Sequence, residues 1–344
     1  MRDELMAAPP RLPAQVIGTG APVIAIHVIG PTIAAALGDG RVWWADPADL
    51  AAKLVEPSTA HDGALLSAAV SPDGKALLSG GDDGRLVRSG PGEDPVELAK
   101  IPRKWISAVV TDPAGGNTVF AAGKEARVLG RDGREKAVFA DHPSTIADLA
   151  LDAKGKRLAV AHYGGASIWW TELAKQEPKR LTWKSSHLMI RFDPTGRYLV
   201  TATQENEIHG WRLADNQDMR MSGYQTKPRT MAFSPDGKKL GTGGSDTVVV
   251  WDLTGKGPMG KAPQELGDYC EVPVTAVAFH PTLSIVAAGH ADGSAKLLSF
   301  GSDRAIPLDS PGAGMVTALT FSKDGRQLHA GTEDGGLASY MIAN

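Results

Sequence analysis

A four-residue turn signal returns along this chain at a nearly constant interval. Ser71-Pro72-Asp73-Gly74 recurs unchanged at Ser234-Pro235-Asp236-Gly237. Asp112-Pro113-Ala114-Gly115, Asp152-Ala153-Lys154-Gly155, Asp193-Pro194-Thr195-Gly196 and Ser322-Lys323-Asp324-Gly325 are variants of it. His280-Pro281-Thr282 holds the same place without the glycine, and Ile29-Gly30-Pro31-Thr32 is a degenerate first copy. The turn glycines at 74, 115, 155, 196 and 237 are 41, 40, 41 and 41 residues apart, and 237 to 325 spans 88, two periods of 44. The sixth copy is longer and carries the insertion TGKGPMGKAPQELGDY at 254–269. A period of this size marks supersecondary units that bury their apolar faces only by stacking on one another.

Each copy has one internal plan. A short apolar run precedes the turn, such as VTAVAF (Val274–Phe279) or VTALTF (Val316–Phe321). A second run follows, such as LSIVAAG at 283–289, and then a tighter turn, clearest at Asp39-Gly40, Asp83-Gly84, Asp292-Gly293 and Asp334-Gly335. Asp-Gly between alternating apolar runs is a strong hairpin signal, because glycine takes the positive φ the turn requires. A third strand follows, and usually a weaker fourth. No stretch reads as a long amphipathic helix. Closing such sheets into a ring removes their exposed edges.

From about Pro22 to the C-terminus the chain resembles the WD-repeat family. The best single copy is FSPDGKKLGTGGSDTVVVWD at 233–252, with Trp251-Asp252 in the place of the dipeptide that names the family. Most other copies lack that dipeptide, so the resemblance rests on period and turn chemistry. It implies an all-β propeller, with residues 1–344 as a single domain and eight repeats of about 41–44 residues over 22–344. First strands are expected to begin near 24, 65, 106, 146, 188, 229, 274 and 316. That predicts eight four-stranded blades, where seven is the family's usual number. The last copy ends with its third strand, and LPAQVIG at 12–18 has no unit of its own. This segment is expected to supply the missing strand and close the ring.

Composition removes several classes of function. With 36 Lys and Arg against 39 Asp and Glu, the net charge of −3 argues against nucleic-acid binding through bulk positive charge. Cys270 is the sole cysteine, so neither an intrachain disulfide nor a thiolate metal cage can form. A cytoplasmic setting is expected, and the Ala- and Gly-rich, loop-economical repeats suggest a bacterial source. Residues 21–37, APVIAIHVIGPTIAAAL, are apolar apart from His27. The stretch is shorter than the roughly 20 residues of a membrane span. It is also broken by Gly30-Pro31 and preceded by mixed charges, so it reads as strand, turn, strand, with no membrane partner. No His pair has ligand spacing on one element, Gly-Gly-Asp-Asp-Gly at 80–84 is a hairpin turn, and no G-x-S-x-G elbow occurs. No catalytic residue, cofactor or metal is expected.

The remaining candidates sort by their place in the repeat. Trp43-Trp44, Trp169-Trp170, Trp211 and Trp251 fall in third strands and read as packing between units. The resemblance implies a structural hydrogen bond between His61, ten residues before Ser71, and Asp83 in the next hairpin turn, with Trp251 and Asp252 also structural. His142 holds the same place in copy four, but Tyr163-Gly164-Gly165 offers it no carboxylate, so a surface position or another bond is expected. Cys270 holds that place in copy seven and reads as a small buried residue. The resemblance further implies an interaction scaffold that binds a protein or peptide on the face where loops enter the first strands. Arg103-Lys104-Trp105, Trp183-Lys184 with His187, and Lys227-Pro228-Arg229 fall there, and with His142 they form the expected partner-binding set. Their positive charge would select an acidic partner. The alternative is a propeller enzyme, a metal-dependent hydrolase or lactonase with its site in the central channel. It needs Asp, Glu, Asn or His where first strands begin, and those positions are mainly Val, Leu, Ile, Thr, Ser and Ala.

Overall fold

The computed structural model describes residues 11–53, 56–173, 175–301 and 305–342, and every regular element among them is a β-strand. The repeated turn explains itself in atomic terms. In Ser234-Pro235-Asp236-Gly237 the serine hydroxyl donates to Asp236 Oδ1 at 2.7 Å and accepts the Lys239 N–H at 2.9 Å. The same two bonds tie Ser322 to Asp324 and Gln327, and Ser71 to Asp73 and Ala76. A serine followed two residues later by aspartate therefore folds the chain back locally. Copy three departs from the expectation. Its left-handed glycine is Gly116, not Gly115, and Gly116 N–H donates to Asp112 O, so this turn is one residue longer.

Each turn links two antiparallel strands that run on into a third and fourth. The unit of copy two is typical, with Leu65–Val70, Leu77–Gly81, Arg85–Ser89 and Val96–Lys100 side by side in that order. Its second strand is buried at every residue, as are Asn117–Ala122 in copy three and Tyr198–Thr203 in copy five. Such strands lie between neighbours on both faces, which is why they carry apolar and small residues on both faces and no charged side chain. An apolar cluster fills the gap between each copy and the next. Leu78, Leu86, Ile106 and Phe120 join copies two and three, and Val23, Ile26, Leu37 and Leu337 join the last copy to the first. The seam repeats one close contact. A Cβ added to Gly80, Gly289 or Gly331 would lie 2.4 Å from a side-chain carbon of Ile106, Val316 or Val23, the first residue of the next copy's first strand.

First strands of successive copies lie alongside one another at the centre of the ring. Thr111 Oγ1 donates to Val70 O (2.8 Å), Thr275 Oγ1 to Val316 O (2.7 Å), and Thr317 Oγ1 to Val23 O (2.5 Å). These bonds join equivalent positions, so the first strands all point the same way and their entry loops gather on one face.

The number of sheets corrects the sequence expectation. Among the described residues there are seven hydrogen-bonded sheets, hence seven blades by that count, not eight. Copies four and five share one six-stranded sheet. Its two long strands, Arg157–Trp170 and Lys179–Phe192, each serve twice. Lys179–Phe192 pairs through residues 179–182 with copy four and through 187–192 with Tyr198–Thr203 of copy five. The cause is the connection between them. Copy four has no Asp-Gly at its hairpin, Tyr163 instead pairs with Ser186, and the link is so short that the chain passes between units without leaving the ladder. The packed cluster of Ala161, Ile168, Leu181, Ile190 and Trp211 still separates the two units.

The apolar stretch 21–37 forms the strands Val23–Ile29 and Thr32–Leu37 with a turn between. No helix among the described residues is long and apolar enough to cross a membrane. The strand Ala14–Gly18 pairs antiparallel with Gly336–Met341, Val16 opposite Ala338. Removing residues 1–20 therefore bares the edge of Gly336–Met341, an invitation to edge-to-edge association. The truncated chain is expected to melt at lower temperature and to give less soluble protein, and equal melting curves would show that this pairing contributes nothing.

Candidate functional site

In copies two, four and six a polar side chain ten residues before the turn ties the strand ends at the entry face. In copy two this is His61, fully enclosed, with Nδ1 at 3.0 Å from Asp83 Oδ1 and Nε2 at 2.8 Å from Ser79 Oγ. Asp83 also accepts the N–H groups of Asp62 and Arg85. Burial works to raise its pKa, but those two backbone donors and the His61 ring together hold it below the usual carboxylate range. Gly84, at φ +76°, makes the turn fit, since a Cβ there would lie 2.4 Å from Ile101 O.

In copy four His142 is buried, which corrects its place among partner-facing residues. Its Nδ1 lies 2.8 Å from Lys124 O, and its Nε2 accepts the indole N–H of Trp169 at 3.0 Å. A backbone carbonyl replaces the missing carboxylate. In copy six the position belongs to Tyr224, which the sequence reading passed over. Trp251 Nε1–H donates to Tyr224 Oη at 2.7 Å, and Tyr224 Oη meets Thr242 Oγ1 at 2.7 Å. Burial raises the phenol to about 12, so it stays protonated. The signal was present: Tyr224 precedes Ser234 by the same ten residues that separate His61 from Ser71. Cys270, half-buried, sits 3.7 Å from Asp246 O at the same offset in copy seven. Asp252 lies at a turn, bonded to Thr254 N–H and Lys261, and these hold its carboxyl at about 2.

The same offset in copy five gives Trp183. Its indole stacks on His209 with ring centres 3.9 Å apart, and its N–H donates to Glu207 Oε1 at 3.0 Å. His187 lies beneath, fully buried, with Nδ1 2.7 Å from Thr201 Oγ1. It too is corrected: it belongs to the interior and not to the partner-facing set. Of the tryptophans read as packing, Trp44, Trp169, Trp211 and Trp251 are buried, whereas Trp43 is half-buried and Trp170 exposed.

The remaining members of that set lie on the entry face in three loops, and among the described residues no hydrogen bond or ion pair links one loop's members to another's. Trp105 is 65% exposed. Arg103 beside it is exposed and holds a left-handed φ of 63°, unusual for a side chain other than glycine. Lys104 is paired with Glu125 at 2.7 Å, and hydrogen bonds from Lys104 and Arg127 lower the Glu125 pKa. Lys184 and Arg229 are exposed, and Lys227 donates to Gln204 Oε1 at 2.9 Å. In the channel wall, a cleft of about 400 Å³ between the first strands of copies two to five is lined by small and apolar groups and one ion pair, Arg191 with Asp148. Among the described residues no group of three or more His, Cys, Asp and Glu is placed to hold a metal ion.

A closed ring of small antiparallel sheets, pinned at one face by these polar groups, defines a β-propeller of repeated units. The WD domain, G-beta repeat family model matches residues 53–87, 217–252 and 264–299. Protein hir1 of Schizosaccharomyces pombe is 26% identical over 283 residues, 76% of this chain and 28% of that protein. Echinoderm microtubule-associated protein-like 3 of Homo sapiens is 26% identical over 57% of this chain and 22% of its own length, and human WD repeat-containing protein 55 is 25% identical over 46% and 42%. The chain thus spans less than half the length of each of these relatives. A crystal structure of the computationally designed Ika8 protein matches with a TM-score of 0.78 at 19% identity, covering 96% of this chain and 99% of that one, a likeness of fold alone. The fold and these matches together support a WD-repeat β-propeller.

Two outcomes follow from this chemistry. Asp83→Ala leaves a buried His61 nitrogen without its partner and is expected to cost about 1–3 kcal/mol. Asp132→Ala, at an exposed turn, is expected to cost little, and equal losses in denaturant titrations would refute the difference. Burial also depresses His187, His209 and His329 to about 4, and both ring nitrogens of His209 and His329 lack a hydrogen-bond partner among the described residues. The unfolded chain takes up these protons near pH 6.5, the folded one only near 4, so stability is complete above 6.5 and falls as pH drops toward 4. Melting temperatures across that window should decline for the wild type and less steeply for His209→Phe.

Proposed function

We propose that this propeller is a non-enzymatic scaffold that binds a protein partner on the entry face, the partner presenting acidic groups to the loops of copies three to six. The observation that carries the reading is Trp105, an exposed indole beside exposed Arg103 on a rigid rim. Tryptophan and arginine dominate the energetics of protein interfaces, and unpaired local cations favour an acidic surface. The WD-repeat relatives support a scaffold role in general terms. We also infer that Ala14–Gly18 closes the ring by completing the last sheet, which holds the entry loops in fixed relation.

The enzyme alternative would place its machinery at the starts of the first strands. The positions there, among them Val23, Leu65, Ile106, Val274 and Val316, are apolar and buried, and this favours a binding surface over a reaction centre.

A photo-crosslinking residue at 105, compared with one at Lys323 on the opposite face, tests the reading in an extract of the source organism. Adducts with another protein are expected from 105 and not from 323. Trp105→Ala with Arg229→Glu should reduce capture about tenfold or more, the loss of one interface anchor, with an unchanged melting temperature. Adducts from 323 alone would move the site to the other face.

A further inference from the structure

The charges of the entry face are sorted by side. In copies seven, eight, one and two, the entry loops and the hairpin turns beside them (residues 267–273, 291–293, 309–315, 333–335, 19–22, 38–40, 60–64 and 82–84) contain no Lys or Arg. They present Asp268, Glu271, Asp292, Glu333, Asp39 and Asp62, all exposed. The nearest cations open the third strands and are already engaged: Arg41 by Asp39 at 2.7 Å, Arg85 by Glu97 at 2.8 Å, and Lys296 by Asp268 at 3.8 Å. Copies three to six are the reverse. Their loops carry Arg103, Lys104, Lys124, Lys184, Lys227 and Arg229. Of the acids among them, Asp141 is paired with Arg180 and Asp246 is buried, while Glu205 accepts the Ser185 hydroxyl and stays exposed. Each half also displays a large exposed aromatic side chain, Trp105 (65%) and Tyr163 (63%) in the basic half, and Tyr269 (75%) in the acidic half.

We propose that this face is the self-complementary interface of a twofold dimer, so that the protein partner of the preceding section, on whose reading of the face this inference rests, is a second copy of this chain. An isologous interface sets one patch against itself. A uniformly charged face would repel its copy. A face that is acidic on one side of a diameter and basic on the other attracts it when the twofold axis lies along that diameter. The axis then runs between copies two and three on one side and six and seven on the other. Copy three meets the second chain's copy two, bringing Arg103 toward Asp62. Copy six meets copy seven, bringing Arg229 toward Asp268 and the ring of Tyr269, a cation and an exposed aromatic face suited to stack. The axis makes each pairing occur twice. Other partners would have to match both signs at the same radius, and this chain carries that pattern by construction.

The test is sedimentation of the purified full chain with two charge-reversal variants. The wild type is expected to dimerise at about 0.05 M salt and to weaken at least about tenfold at 1 M, where the screening length is about 3 Å. Asp62→Lys with Asp268→Lys shifts the balance of the face toward basic, and Lys184→Glu with Arg229→Glu shifts it toward acidic. Each variant alone is expected to be monomeric with a wild-type melting temperature, and their equimolar mixture to dimerise. All substituted side chains are exposed, and the wild-type salt titration decides the matter should either variant fold poorly. A wild type that is monomeric at low salt up to its solubility limit overturns the proposal, as does undiminished self-association of both variants. If the chain is monomeric yet position 105 still crosslinks to a different protein, the dimer is refuted and the scaffold reading stands.

Discussion

The seam between consecutive copies is the contact on which the molecule depends. A four-stranded sheet of this composition has no interior of its own. Its second strand, as in Leu77–Gly81, is buried at every residue only because another copy lies on each side. The seam is tight at a fixed point: Gly80, Gly289 and Gly331 leave room for Ile106, Val316 and Val23, the side chains that begin the next first strand. Interior packing at this density forbids even one added methyl group without movement. Because the last seam joins Leu337 to Val23, the stability of every copy is shared around the ring.

A second, polar layer sits on top of the seams. In copies two, four and six a group ten residues before the turn reaches down to satisfy groups on the second and third strands or the turn between them. His61, His142 and Tyr224 do this with different partners: a carboxylate and a serine, a carbonyl and an indole, a threonine and an indole. What persists is the geometric need for a bonded polar atom at that depth. Trp183 fills the same place by stacking over His209 instead, and beneath it a patch of histidine nitrogens goes unpaired. Burial lowers the pKa of His187 and His209 there, as it does that of His329 in copy eight.

The pinned loops form a rigid platform, and their charges are then free of structural duty. Arg103, Lys184 and Arg229 on one side and Asp62, Asp268 and Glu333 on the other are exposed and shape the field over the face. Separation of sign across a near-neutral protein creates a strong lateral field without a large net charge, the condition for orientation-specific association.

The sequence by itself determined the repeat, the strand order within each copy and the turns, because these rest on local chemistry: a serine and an aspartate two apart, and glycines where φ must be positive. The family resemblance, with the place of each residue in the repeat, also marked His61 with Asp83. Only the tertiary structure decided that His142 and His187 face inward, since a histidine in a loop carries no local sign of which way it turns. It alone decided that Trp105 stands in solvent while Trp183 lies over a buried ring. It also merged copies four and five into one sheet, because a ladder continues wherever the link is too short to leave it. The two-sided charge of the entry face was written in the loops all along. It became visible only when the ring set copies seven and eight beside one and two, residues at opposite ends of the chain that closure makes neighbours.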